Sequence, residues 1–197
     1  ALVLKKGNET LMIEPWGNNS LRVRSSLSPF FIYQNWGLTE KINHGIAKII
    51  MKSDGAVIQN GSLSAFISNN GVLTFYKGKE VILHEYFHSY DPAATKQSCC
   101  TKVIARDFKG IPGGDYKLTV RFEANKGEKL FGMGQYPLSY LDMKGCTLEL
   151  AQRNSQISIP FAVSSLGYGF LWNNPAVGSV NFSKNITEWK AECTKEM

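Results

Sequence analysis

The chain has 197 residues and a formal net charge of +6. That length allows one large domain with a core of its own, and its composition is that of an ordinary soluble globular protein rather than a disordered, collagenous or disulfide-stapled one. The basic residues (Lys5, Lys6, Arg22, Arg24, Lys48, Lys52, Lys77, Lys79, Lys126 and Lys129 among them) are scattered without a run or a helical stripe. They read as solvated surface charge, which argues against a nucleic-acid or membrane-surface partner.

Taken in chain order, the sequence predicts short strands separated by turn chemistry. Leu11–Trp16 is a strand, Gly17-Asn18-Asn19 a turn, and Leu21–Arg24 alternates with period two, so the three together predict a hairpin. Ala47–Met51 follows, with a turn at Ser53-Asp54-Gly55. Leu63–Ile67 and Val72–Tyr76 flank Ser68-Asn69-Asn70-Gly71, whose Asn-Gly step is the strongest hairpin signal in the chain. Lys77-Gly78-Lys79 turns into a strand over Glu80–Glu85. Beyond a polar stretch from Tyr90 to Ser98, strands are predicted over Lys102–Ala105 and Tyr116–Phe122, with a loop from Gly110 to Gly114 between them. Phe161–Ser164, Gly169–Trp172, Val180–Phe182 and Glu188–Ala191 close the series.

No window carries a helical period. Leu27–Trp36 comes nearest, and Pro29 interrupts it. Strands recurring at this density predict an all-β chain, built as a large two-layer antiparallel β-sandwich in one domain over residues 1–197. No apolar run approaches the ~18 residues of a transmembrane helix, and no signal peptide is evident. The chain opens on Ala1 and stops at Met197 without a terminating signal, which reads as a boundary inside a longer protein.

The usual chemical motifs are absent. There is no GxSxG elbow, Walker loop or HExxH. The Gly132-Met133-Gly134 step lacks a third glycine and a following helix, so it reads as a tight turn rather than a dinucleotide loop. His84 and His88 are spaced by four, but they follow a strand, which reads as a strand end rather than a zinc site. The four cysteines, Cys99, Cys100, Cys146 and Cys193, form no CxxC pair and read as reduced thiols. Asp54, Asp91, Asp107, Asp115 and Asp142 read as turn or loop residues. Glycoside hydrolysis needs two carboxyl groups at a set separation, and nothing in the sequence nominates such a pair.

Between Lys129 and Phe182 four segments together resemble the family 31 glycoside hydrolases. Leu130-Phe131-Gly132-Met133-Gly134-Gln135 resembles that family's YGLGE-like turn. Glu149–Asn154 is similar to the segment whose loop approaches the active site. Ile159-Pro160-Phe161 resembles an IPF strand, and Leu166–Pro175 resembles the GYGVLVNNP strand that follows it. The resemblance implies an N-terminal sandwich domain of galactose-mutarotase-like type, packed on a catalytic (β/α)8 barrel of the same polypeptide. It also implies a retaining, cofactor-free, exo-acting α-glycosidase, an α-glucosidase or α-xylosidase, whose two catalytic aspartates lie beyond Met197.

Under the same resemblance, Gln152, Arg153 and Asn154 correspond to a loop that reaches over the pocket at the non-reducing sugar of an α-linked substrate. Relatives often carry aspartate where this chain has Asn154, which leaves the sugar open. No metal or cofactor is expected, and an oligomer could form through the parent. The free cysteines and absent signal lean towards the cytoplasm. Trp172 is expected in the core. Two other classes predict different features. A free-standing carbohydrate-binding sandwich would expose aromatics such as Trp16, Trp36 or Tyr140. A mutarotase-like enzyme would need a histidine, from among His44, His84 and His88, converging with a carboxylate.

Overall fold

The computed structural model describes residues 1–32, 37–38, 47–89 and 101–197. Trp36, His44, Asp91, Cys99, Cys100, the Tyr90–Ser98 stretch and part of Leu27–Trp36 therefore lie outside the described residues. The described residues hold sixteen strands, and every pairing between them is antiparallel. The all-β expectation is met. The chain falls into two compact units, Ala1–His84 with Lys195–Met197, and Glu85–Thr194.

In the first unit, β1 (Leu2–Lys6), β2 (Glu9–Pro15) and β3 (Leu21–Ser26) form one sheet. A five-stranded meander runs in chain order through β4 (Lys48–Lys52), β5 (Gly55–Asn60), β6 (Leu63–Ser68), β7 (Leu73–Lys77) and β8 (Glu80–His84). The predicted turns all fall at the junctions of these strands, with Gly55, Ser68 and Lys77 as end residues of β5, β6 and β7. Lys52 pairs with Gly55 across Ser53-Asp54, and Lys77 with Glu80 across Gly78-Lys79. Alternation along the strands turns one set of side chains inward, and Leu11, Ile13, Ile58, Ala65, Ile67 and Leu73 share one core with Leu2 and Ala56. Buried Asn60 donates to the carbonyls of Gly17 (3.0 Å) and Ser20 (2.7 Å), tying the β2–β3 turn to β5. Arg24 departs from the surface reading. It is buried and donates to Glu14 Oε2 at 3.1 Å, because a charge leaves water only with a charged partner.

The second unit contains β9 (Arg106–Gly110), β10 (Tyr116–Glu123), β11 (Leu130–Gln135), β12 (Thr147–Leu150), β13 (Ile157–Ser164), β14 (Tyr168–Leu171), β15 (Gly178–Phe182) and β16 (Ile186–Thr194). One sheet is ordered β12-β15-β16-β10-β9 and the other β11-β13-β14. The strand expected over Lys102–Ala105 is shifted. Val103 makes only an isolated bridge to His88, and the ladder with β10 starts at Arg106. Hydropathy hid β9 because Arg106 is buried against Glu85 rather than exposed.

The Gly132-Met133-Gly134 turn is also corrected. These residues lie within β11, where the register with β13 shifts between Gly132 and Gly134. All three have positive φ, so the extra residue bulges out of the ladder without reversing the chain. A Cβ on Gly134 would sit 2.2 Å from the Ile157 carbonyl oxygen, at φ +92°. Gly134→Ala is therefore expected to destabilise by more than about 1 kcal/mol, measured as a lower denaturant midpoint.

The start of β11 is held by Asp142, whose Oδ1 accepts from the backbone N–H of Leu130 and of Lys144, both at 3.0 Å. The Lys144 N–H, ahead of the Leu130 N–H, holds its carboxyl below the usual aspartate value, although burial opposes the shift. Its stabilising contribution is thus complete above the ordinary aspartate pKa and is lost as pH falls through the depressed folded value. A carboxyl NMR titration should place Asp142 below ordinary aspartates, and Asp142→Asn should keep the two bonds while removing that part of the acid dependence.

Candidate functional site

The loop between β12 and β13 is built from its own side chains. The Gln152 amide acts as a substitute strand neighbour for Ser158. Its Nε2 donates to the Ser158 carbonyl at 2.8 Å, and its Oε1 accepts from the Ser158 N–H at 3.1 Å. Arg153 and Gln156 bridge, with the Gln156 N–H donating to the Arg153 carbonyl at 3.3 Å, so Asn154 and Ser155 form the tip. Gln156 Nε2 donates to the Ala151 carbonyl at 3.1 Å. Below the tip, the Tyr136 hydroxyl donates to the Glu149 carbonyl at 2.8 Å and lies 2.8 Å from Ser158 Oγ. Burial holds that phenol above its ordinary pKa.

Arg153 forks onto Glu149, with Nε to Oε2 at 3.0 Å and Nη2 to Oε1 at 2.6 Å. Hydrogen bonding to Arg153 keeps the Glu149 carboxyl below its usual range, and the same bond raises the guanidinium pKa. The structure thus brings the three sequence-derived residues into one exposed loop but gives them unequal freedom. Gln152 is committed to Ser158, and Arg153 has spent one face on Glu149. The Asn154 side chain is exposed and has no partner among the described residues, so it can both donate to and accept from a hydroxyl.

The remaining candidates resolve as follows. Trp172 is buried and stacked on Trp189 at 5.9 Å, in the core as expected. Trp16 is also buried, with the Arg22 guanidinium 5.0 Å from its ring centroid, so it offers no free stacking surface. Tyr140 is half exposed. His84 Nδ1 lies 2.8 Å from Thr74 Oγ1. His88 Nε2 lies 3.1 Å from Glu123 Oε1, with the Tyr86 ring tilted against the imidazole at a centroid distance of 4.1 Å. Sequence reading missed this His–Glu pair because the two residues are far apart in sequence; the Glu85–Phe122 bridge and the Tyr86 N–H to Arg121 carbonyl bond lay their segments side by side. Both side chains are partly exposed, which makes it a surface contact of small energy. Neither Cys146 nor Cys193 is in a disulfide, and the Cys193 thiol donates to Asp115 Oδ2 at 3.2 Å. Among the described residues, no three His, Cys, Asp or Glu side chains cluster as metal ligands do.

No protein-family model matches the chain. Individual relatives are close. An uncharacterised family 31 glucosidase, ORF2, of Pseudescherichia vulneris is 45% identical over 96% of this chain, which corresponds to 37% of that protein. Alpha-xylosidase A of Aspergillus niger is 27% identical over 98% of the chain and 28% of that protein. Among solved structures, a GH31 alpha-xylosidase from a soil metagenome, complexed with xylose, superimposes with a TM-score of 0.93 at 41% identity, covering 99% of this chain and 30% of that one. The chain spans about a third of the length of the relatives it matches. Near-complete alignment at this identity, with the same fold, places the chain in glycoside hydrolase family 31, as one segment of such a protein.

Proposed function

We propose that residues 1–197 are the non-catalytic N-terminal domain of a retaining, exo-acting α-glycosidase of α-xylosidase or α-glucosidase type. The domain is a β-sandwich of galactose-mutarotase-like architecture; it packs on the catalytic barrel of the same polypeptide and carries no catalytic carboxylate. The observation that carries this reading is the alignment along 96% of the chain with only 37% of a family 31 glucosidase. Assaying the full-length protein beside residues 1–197 on aryl α-xyloside and α-glucoside tests it. Hydrolysis by the long form alone is expected, and hydrolysis by the short chain would refute it.

Within that role the loop between β12 and β13 is the part of the domain that meets the sugar. Its base is locked by Gln152, Tyr136 and the Arg153–Glu149 fork, so the tip is presented without a large ordering cost on binding. Asn154 supplies the direct hydrogen bonds, and Arg153 offers its remaining N–H groups. In the full-length enzyme Asn154→Ala and Arg153→Ala are each expected to lower kcat/KM about 10- to 100-fold, the worth of a lost hydrogen bond at a desolvated site. Unchanged kinetics and substrate preference in both variants would remove the loop from the pocket.

A further inference from the structure

Strand β13 carries its hydrophobicity on the wrong side for an isolated domain. Its inward positions are small or polar: Ser158, Ala162 and Ser164 are all buried. Its outward positions are Ile157, Ile159, Phe161 and Val163, which are 53%, 52%, 42% and 43% exposed. The neighbouring strands extend the same face. Phe131 of β11 is opposite Val163, and Leu171 of β14 is opposite Phe161. The Phe161 ring lies across Gly169, where an added Cβ would come within 2.7 Å of it. The outward residues of the paired positions are Phe131, Gln135, Ile157, Phe161, Val163, Gly169 and Leu171, and none is charged.

The sheet beneath is firmly held. Phe170, on the opposite side of β14, stacks on Trp189 at 4.9 Å. Buried Glu128 accepts from Ser164 Oγ at 2.5 Å and from the Tyr168 hydroxyl at 2.6 Å, which pins the end of the β13–β14 hairpin. A contiguous, charge-free apolar face on a rigid sheet has the character of an interface core rather than of free surface.

Resting on the function proposed above, we propose that the outer face of the β11-β13-β14 sheet is the surface on which the remainder of the same polypeptide docks, and that this docking sets the position of the Gln152–Asn154 loop. Two observations select that occupant over a second copy. The relatives continue for about two-thirds of their length outside the matched segment, so a covalently attached body is always at hand. The apolar stripe also begins at Ile157, immediately after that loop, and Ser158 is the residue that Gln152 clamps. A body seated on the stripe therefore has the loop tip at its margin, and Phe161 acts as a positioning residue for a sugar contact made by Asn154.

Hydroxyl-radical footprinting of the full-length protein tests this with a matched internal control. Ile157 and Ile159 are 53% and 52% exposed, and Ile50 of β4 is 50% exposed. In full-length protein diluted to its monomer, Ile157 and Ile159 should be oxidised about tenfold more slowly than Ile50, as expected of residues packed in an interface core. Equal rates for the three isoleucines overturn the proposal. Protection that vanishes when an oligomer dissociates also overturns it, and assigns the face to a second copy. Full-length Phe161→Asp should lose the protection and raise KM, whereas Ile50→Asp should change neither. Because labelling needs no turnover, an enzyme active on α-glycosides with an unprotected face would sink this inference alone. A protected face on a protein without glycosidase activity would sink only the function proposed above.

Discussion

Trp189→Ala is expected to lower the unfolding free energy by about 3–5 kcal/mol, the cost of emptying a large aromatic site in a core that relaxes only partly. Trp189 is 1% exposed and sits on β16, with Val120 of β10 opposite on one side and Val180 of β15 on the other. Its ring is met by Phe170 at 4.9 Å, Trp172 at 5.9 Å and Phe182 edge-on at 5.6 Å. Phe170 and Trp172 come from the β13–β14 hairpin, so this one indole joins the two sheets of the second unit. Losing it loosens the support of the apolar outer face as well as the core. The measurement is a urea titration, in which the midpoint should fall while the slope stays the same. Trp189→Phe, which keeps a ring against Phe170, should recover a good part of the loss. A shift below about 1 kcal/mol for the alanine variant would mean that the aromatic cluster does not bind the sheets together.

The hairpins of the first unit were legible because local chemistry and burial agree there. In Leu21–Arg24 and in Leu63–Tyr76 the alternation, the turn residues and the core face all point the same way. The misreadings fall where a tertiary partner reverses the usual meaning of a residue. Arg106 looks like surface and is buried because Glu85 meets it. Gly132 and Gly134 look like a turn and are a bulge, because β13 continues to pair on both sides of the shift. The alternation of Ile157–Ser164 was readable, but not which phase faces inward; Trp189 and Phe170 already fill the inner space and leave small side chains on that side of β13. At the loop, resemblance located Gln152, Arg153 and Asn154, and only the geometry separated the braces from the free tip. Gln152 could have been suspected from its spacing to Ser158, but an amide that pairs with a backbone leaves no composition signal.

The second large effect concerns Glu85 and Arg106, whose side chains are 1% and 5% exposed and joined by a direct charge-assisted hydrogen bond from Nη1 to Oε1. Glu85 bridges to Phe122 of β10, and Arg106 opens β9 opposite Val120, so the pair links the segment leading into the second unit to the edge of its larger sheet. Glu85→Ala would remove the carboxylate that meets the buried guanidinium, and is expected to cost about 3–5 kcal/mol. Replacing both members, Glu85→Leu with Arg106→Met, removes both buried charges together and should restore most of that loss, since buried ion pairs are often no more stabilising than apolar groups of similar size. A double-mutant cycle from denaturant midpoints decides the matter. A double variant as unstable as Glu85→Ala would mean that the hydrogen bonds of the pair, rather than neutralisation of the arginine, hold β9 in place. Recovery would mean that the pair is kept chiefly because neither charge can be removed alone, and it would explain how a strand as polar as Arg106-Asp107-Phe108-Lys109-Gly110 belongs to a sheet that hydropathy does not predict.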